Sequence, residues 1–279
     1  MVGEVLKFDH TNISYAVATE AARIRSDAFR NDGMFKSIYP PRAQFRDENL
    51  PSIADYEQLQ QLAALYGKVI RSEAREIYLT VSRDPRTVLY MLKDKGKFRA
   101  SAQWILPEYV PVARIPWHRR AYIWILEKLF SLADTLSFWG KENPAYSPEI
   151  LARYHKACRH LGCYKQPETA GQLAKMSRKE LESVCYPKDL AYVLEVLSVR
   201  ADTHGQGYGR QIVLTSEKRI TSNAVPPPGI DGPPKVTIVS MPTAIGFYKR
   251  LGFTMGAHYE DVLPSKAKIT QSYFFRNVD

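Results

Sequence analysis

The sequence predicts a single α/β domain of the α+β kind, built on a central mixed, mostly antiparallel sheet flanked by helices. Three observations carry this expectation. Short β-branched and aromatic segments joined by turns fill residues 76–106. An apolar run at 192–198 leads through a glycine-rich loop into a helical pattern. A second apolar run at 235–241 precedes a short helix and two closing strands.

Residues 5–8 read as a first strand, ended by the polar break Asp9-His10-Thr11-Asn12. From about Ala16 to Phe29, the residues Ala18, Ala21, Ile24 and Phe29 fall near one helical face. A second helical pattern over Tyr56–Arg75 carries Leu59, Leu62, Ala63, Tyr66, Val69 and Ile70. Glu76–Val81 reads as a strand, turned at Ser82–Arg86 into Thr87–Leu92. Lys93-Asp94-Lys95-Gly96-Lys97 then turns the chain into Phe98–Leu106, which completes an expected antiparallel meander. Pro107, Pro111 and Pro116 close it.

From Trp117 to about Val184 the pattern is helical, with Tyr122, Ile125, Leu126, Leu129, Phe130, Ala133 and Leu136 at helical intervals. Ser147 caps a further helix with Pro148 in its first turn. Residues 107–188 are therefore expected to form a helical insertion within the one domain 1–279, leaving a binding core at 190–279. Such an insertion serves as packing, as a substrate-side lid or as the surface of a homodimer. Within it lie His155, Cys158, His160 and Cys163, which are zinc-type ligands. On a helix His155 and Cys158 share a face and His160 falls away from it, so no metal site is expected. Cys158 also lacks the basic, glycine-turned setting of a nucleophilic thiolate.

The loop Val199-Arg200-Ala201-Asp202-Thr203-His204-Gly205-Gln206-Gly207-Tyr208-Gly209-Arg210 organises the last third of the chain. Its glycines leave backbone N–H groups uncovered, and the helix beginning there adds unpaired donors and a positive dipole end. A pyrophosphate requires just those features, although the same glycines also serve a plain strand-to-helix turn. The spacing departs from the Rossmann pattern, and no Lys-Ser/Thr pair closes the loop as a Walker site needs. Gln211–Ile220 continues the helix, with Ile212, Val213 and Ile220 inward and Glu217, Lys218 and Arg219 outward. Val225–Pro234 is a semi-rigid surface loop. Lys235–Met241 is a β-branched strand, Pro242–Phe253 a helix opened by proline and stopped by glycine, and Phe253–Met255 and Thr270–Phe275 the closing strands.

Two stretches, His204-Gly205-Gln206-Gly207-Tyr208-Gly209 and Tyr248-Lys249-Arg250-Leu251-Gly252-Phe253, resemble in order and separation two motifs of the Gcn5-related N-acetyltransferase (GNAT) superfamily. Those are Gln/Arg-x-x-Gly-x-Gly/Ala, which binds the coenzyme A pyrophosphate, and a later phrase like Tyr-x-x-x-Gly-Phe. The likeness covers the last third closely and the first third loosely, where Ser26–Phe29 and Ile38–Pro41 are similar to fungal members. Ala201, Thr203 and His204 depart from a usual proline, aromatic and Gln/Arg.

The resemblance implies a GNAT fold whose sheet splays at an acyl-CoA site, with acetyl-CoA as co-substrate. It implies a transferase (N-acetyltransferase) acting by direct attack of a small-molecule primary amine, in fungal metabolism or detoxification. It assigns cofactor contacts to the backbone of Leu197 and Val199 and to His204, Gly205, Gln206, Gly207, Tyr208, Gly209 and Arg210. It makes Tyr248 a proton donor to the departing thiolate, against a reading as a packed aromatic. Glu195, which alternation places on one strand face with Val193, Leu197 and Val199, is a base or a structural ion pair. His204 is expected to face cofactor or solvent. Trp104 suits either the acceptor wall, binding substrate, or the core. Two other uses stay open: a fold diverted to lyase or cyclase chemistry on an acyl or polyketide-like metabolite, and non-catalytic acyl-CoA binding.

Composition narrows the setting. With 45% hydrophobic and 24% charged residues in 279, the chain reads as an ordinary globular protein. The net charge of +10 is dispersed with no long Lys/Arg run, which favours a basic cleft for an anionic cofactor over nucleic acid. Three cysteines, an odd number, suit a reducing compartment. With no apolar leader and no membrane-length apolar stretch, a cytoplasmic protein is expected.

Overall fold

Lys95 and Gly96 both take positive φ, 48° and 79°, the turn geometry that matches the twist of two hairpin strands. They join β2 (Thr87–Asp94) to β3 (Lys97–Ile105). The computed structural model describes residues 3–29, 56–137, 190–227, 232–262 and 268–278. β1 (Glu4–Phe8) pairs with β2, and β3 pairs onward with β4 (Ala191–Val199). β5 (Lys235–Ser240), β6 (Thr254–Val262) and β7 (Lys268–Asn277) complete a seven-stranded sheet of order β1-β2-β3-β4-β5-β7-β6. Only the β4–β5 pair is parallel.

Side-chain alternation sorts the sheet into two faces. Leu89 and Met91 pack under α1 (Tyr15–Phe29) and α2 (Tyr56–Arg83), against Ala18, Ala21, Ile24, Ile70, Ala74, Ile77 and Val81. Val88, Tyr90, Leu92, Ala102, Trp104, Tyr192 and Leu194 point the other way, toward α4 (Tyr208–Ile220) and α5 (Ile245–Arg250). The remaining described helix, α3 (Trp117–Ser137), packs on α2, where Arg83 pairs with Glu127 at 3.2 Å.

Two expectations are corrected by this packing. Glu76–Val81 is not a strand: α2 runs on through Arg83, because Ile70, Ala74, Ile77 and Val81 keep the helical spacing and are buried together. Tertiary burial of that stripe outweighs the β-branched content. The meander is thus the hairpin β2–β3, bordered by β1 and β4. Glu217 does not point outward either. It is buried on α4 beside Arg276 of β7, whose Nε donates to Glu217 Oε1 at 3.0 Å and whose Nη2 donates to Oε2. Arg276 Nη1 also reaches the Leu251 carbonyl at 2.6 Å, and its guanidinium lies over Phe253. This desolvated cation and carboxylate tie α4 and α5 to the sheet. Ile38–Pro41, Ser147, Pro148 and the cluster His155, Cys158, His160 and Cys163 lie outside the described residues.

Candidate functional site

β4 and β5 pair only from Ala191↔Lys235 to Leu194↔Ile238. Beyond that, β4 continues along β3 to Val199 while β5 continues along β7 to Ser240. The cause is visible in the register of β3 against β4: Trp104 faces Leu194 but Gln103 faces Val196. Glu195 is therefore the extra residue of a β-bulge, which bends its strand and interrupts pairing. The bulge also overturns the expected alternation. Leu197 and Val199 join Tyr192 and Leu194 on the α4 side, whereas Glu195 turns to Gln103 on the α1 side.

Along this gap the edge of β4 pairs with no strand among the described residues. Arg200 N donates to Arg99 O of β3 at 2.9 Å, so the carbonyl of the same peptide, Val199 O, points away from β3 into the gap. His204 Nε2 meets that oxygen at 3.0 Å. The exposed imidazole thus fastens the loop to the end of the strand rather than facing only cofactor or solvent.

The loop itself is a nest of backbone donors. A 3-10 turn at Ala201–Thr203 is seated on α1 by Asp27, whose Oδ2 accepts from Ala201 N at 2.7 Å. Gly205 and Gly207 have φ of 77° and 84°, with open space where a Cβ would stand. Glycine is demanded there by backbone conformation and not by crowding. Gly209 is instead closely packed: a Cβ would lie 3.2 Å from Val199 Cγ2, tight enough that the valine must give by a few tenths of an ångström, and in ordinary contact at 3.5 Å with the Phe247 ring. Gln206 N is spent on Thr203 O and Gln211 N on Gly207 O. The amides of Gly205, Gly207, Tyr208, Gly209 and Arg210 have no acceptor among the described residues. The dipole of the 13-residue α4 adds to them. An anionic diphosphate fits this donor set.

Side chains of the loop contribute less than its backbone. Tyr208 is buried, and its hydroxyl donates to Asp94 Oδ2 at 2.8 Å, a bond that raises the phenol above its ordinary value. Only its amide is available to a ligand. Gln206 Nε2 turns back to Asp202 O at 3.3 Å, and Arg210 is exposed. Asp202 is held below the usual carboxylate range by hydrogen bonds from Arg200.

Tyr248 sits on α5 in an aromatic cage, with ring centroids 5.0, 5.8 and 5.9 Å from Phe247, Phe253 and Phe274. Phe274 is the β7 partner of Ile238, the last β5 residue paired to β4. The tyrosine therefore stands by the apex of the gap on the α4 face, and Glu195 stands there on the α1 face. Burial drives the Tyr248 phenol well above its ordinary 10.0, and its hydroxyl makes no hydrogen bond among the described residues. Trp104 is corrected as a substrate-wall residue: it is fully buried, and its Nε1 donates to Ser216 Oγ of α4 at 2.9 Å. An indole with no exposed surface and a satisfied N–H packs the core. Gln103, Arg25 and Asp27 were not anticipated. The signal for Gln103 was a long polar side chain set between the apolar residues Ala102 and Trp104 of a strand.

Among the described residues there is no metal-holding cluster and no helix long and apolar enough to cross a membrane. No family model matches the sequence, and no curated protein matches it significantly. Solved structures that it resembles include several acetyltransferases. They include a histone acetyltransferase and related acetyltransferase of Corynebacterium glutamicum, at 13% identity over 100% of this chain and 98% of that one, TM-score 0.45. A GCN5-related N-acetyltransferase of Rhodopseudomonas palustris gives 8% identity, 100% and 97% coverage and a TM-score of 0.42. A Drosophila melanogaster polyamine N-acetyltransferase that forms N-acetylagmatine gives 9%, 99% and 100%, and 0.40. Superpositions this loose assign no residue a role.

Proposed function

We propose that the chain is an acyl-CoA-dependent N-acyltransferase of the GNAT superfamily, transferring acetyl from acetyl-CoA to the primary amine of a small molecule. The observation that carries this reading is the parting of β4 from β5 beside a row of unpaired loop amides. A molecule with a diphosphate joined to an amide-bearing arm satisfies both features at once. The amides of Gly205 and of Gly207 through Arg210 would hold the diphosphate, and the Leu197 and Val199 main chain would receive the arm as a further strand. When bound, acetyl-CoA supplies an acyl group activated as a thioester.

Glu195 takes the proton of the acceptor amine, which must be neutral to act as a nucleophile. Tyr248, kept protonated by burial, holds a proton at its hydroxyl for the leaving sulfur. No acyl-enzyme and hence no nucleophilic Ser or Cys is needed. A reducing, cytoplasmic setting accords with the three cysteines. The test is thiol release from acetyl-CoA across a panel of small primary amines. Release that requires both an amine and Glu195 supports the reading. A product formed with no acyl donor consumed would assign the fold to another reaction.

A further inference from the structure

Gln103 is only 5% exposed, two residues from the end of β3, and both ends of its carboxamide are engaged. Oε1 accepts from Arg25 Nη2 of α1 at 3.1 Å, and Nε2 donates to Glu195 Oε2 at 2.9 Å. A guanidinium has donors only, so the amide must present its oxygen to Arg25 and its NH2 to Glu195. A carboxylate is an acceptor only, so each contact in the row pairs one donor with one acceptor. The bulge makes the row: as the extra residue of β4, Glu195 falls beside Gln103 instead of alternating away from it.

We infer that Gln103, itself oriented by Arg25, is a positioning residue that fixes the Glu195 carboxylate at the apex of the β4–β5 gap. Helix α1 is thereby coupled to the site at two places, through Arg25 to the bulge and through Asp27 to the Ala201 amide. The use of the held carboxylate as a base rests on the acyl-transfer reading; the relay does not.

Side-chain amide spectra of the 15N-labelled full chain test the relay directly, the Gln103 NH2 pair being assigned by its loss in Gln103→Met. The pair is expected to be well separated and slow to exchange, and to move in both Glu195→Ala and Arg25→Met. A pair that stays in place in either variant overturns the relay. Kinetics on the amine that gives the fastest thiol release then test positioning. Gln103→Met should lower kcat about tenfold, as expected for losing one hydrogen bond to a charged group. The KM for acetyl-CoA should stay within about twofold, because no loop amide has changed. Arg25→Met should act in the same way, and Arg25→Lys, which keeps a donor-only head, should restore most of the rate. An unchanged kcat in Gln103→Met overturns the positioning role. A wild-type protein that consumes no acetyl-CoA would sink the acyl-transfer reading, while the spectra still decide the relay.

Discussion

The loop at 204–210 and the bulge at Glu195 border the same gap but are made of different material. In the loop the functional groups are main-chain amides, set by positive φ at Gly205 and Gly207 and by the start of α4. At the bulge they are side chains, Glu195 held by Gln103 on one face and Tyr248 caged by Phe247, Phe253 and Phe274 on the other. A backbone site tolerates change in side-chain identity so long as the conformation survives. This explains how His204 stands where Gln or Arg is usual in the family resembled, its ring now bonded to Val199 O. A side-chain site has no such tolerance.

Substitutions that separate binding from turnover sharpen this contrast. Gly207→Glu forces a side chain onto φ 84° and sets a carboxylate among the amides. Acetyl-CoA affinity should fall by about a hundredfold or more, since positive-φ strain of roughly 1–3 kcal/mol adds to charge repulsion. Glu195→Gln should lower kcat about a hundredfold and leave the coenzyme A Kd nearly unchanged, the pattern of a lost proton acceptor. Tyr248→Phe removes a hydroxyl that bonds nothing among the described residues. Turnover should drop about tenfold with melting temperature and Kd preserved. Trp104→Phe gives up the bond to Ser216, which still reaches Ile212 O. Stability should fall by about 1 kcal/mol in urea denaturation, with no change in the KM of any amine. A change in amine KM there would restore Trp104 to the acceptor wall.

The smallest effect is in alkaline stability. The folded-state phenol of Tyr248 lies above its ordinary 10.0 because of burial. Above about pH 10 the unfolded chain loses this proton and the folded chain keeps it, so stability falls as pH rises. Below pH 10 the group contributes no pH dependence, and Tyr248→Phe should flatten the alkaline limb.

The same contrast explains what the sequence disclosed. Backbone requirements leave a residue-type signature, and the three glycines, the positive-φ turn at Lys95-Gly96 and Pro242 at the next helix start were all legible. β4 followed from an apolar run, α4 from hydrophobic period, β5 from β-branched content and α5 from its flanking proline and glycine, whereas the strand expected at 253–255 runs on to Val262 as β6. Glu195 stood out as a carboxylate within an apolar strand, but its face was misassigned, because a bulge inverts alternation without any residue marking it. Gln103 and Arg25 are 78 positions apart and meet only through folding. Trp104 and Glu217 went astray for the same reason, each having its partner on a distant element. Glu76–Val81 was misread locally, where β-branched composition competed with a helical stripe that tertiary burial favoured.

The central claim, that the loop amides and the edge of β4 along the gap together form one acyl-CoA site, is tested most directly by calorimetric titration. Acetyl-CoA, coenzyme A and desulfo-coenzyme A would be titrated into the wild type and into Gly207→Glu. Micromolar binding of all three to the wild type, lost in the variant, is the predicted result. Equal affinity in the two proteins, or no binding by the wild type, would contradict it.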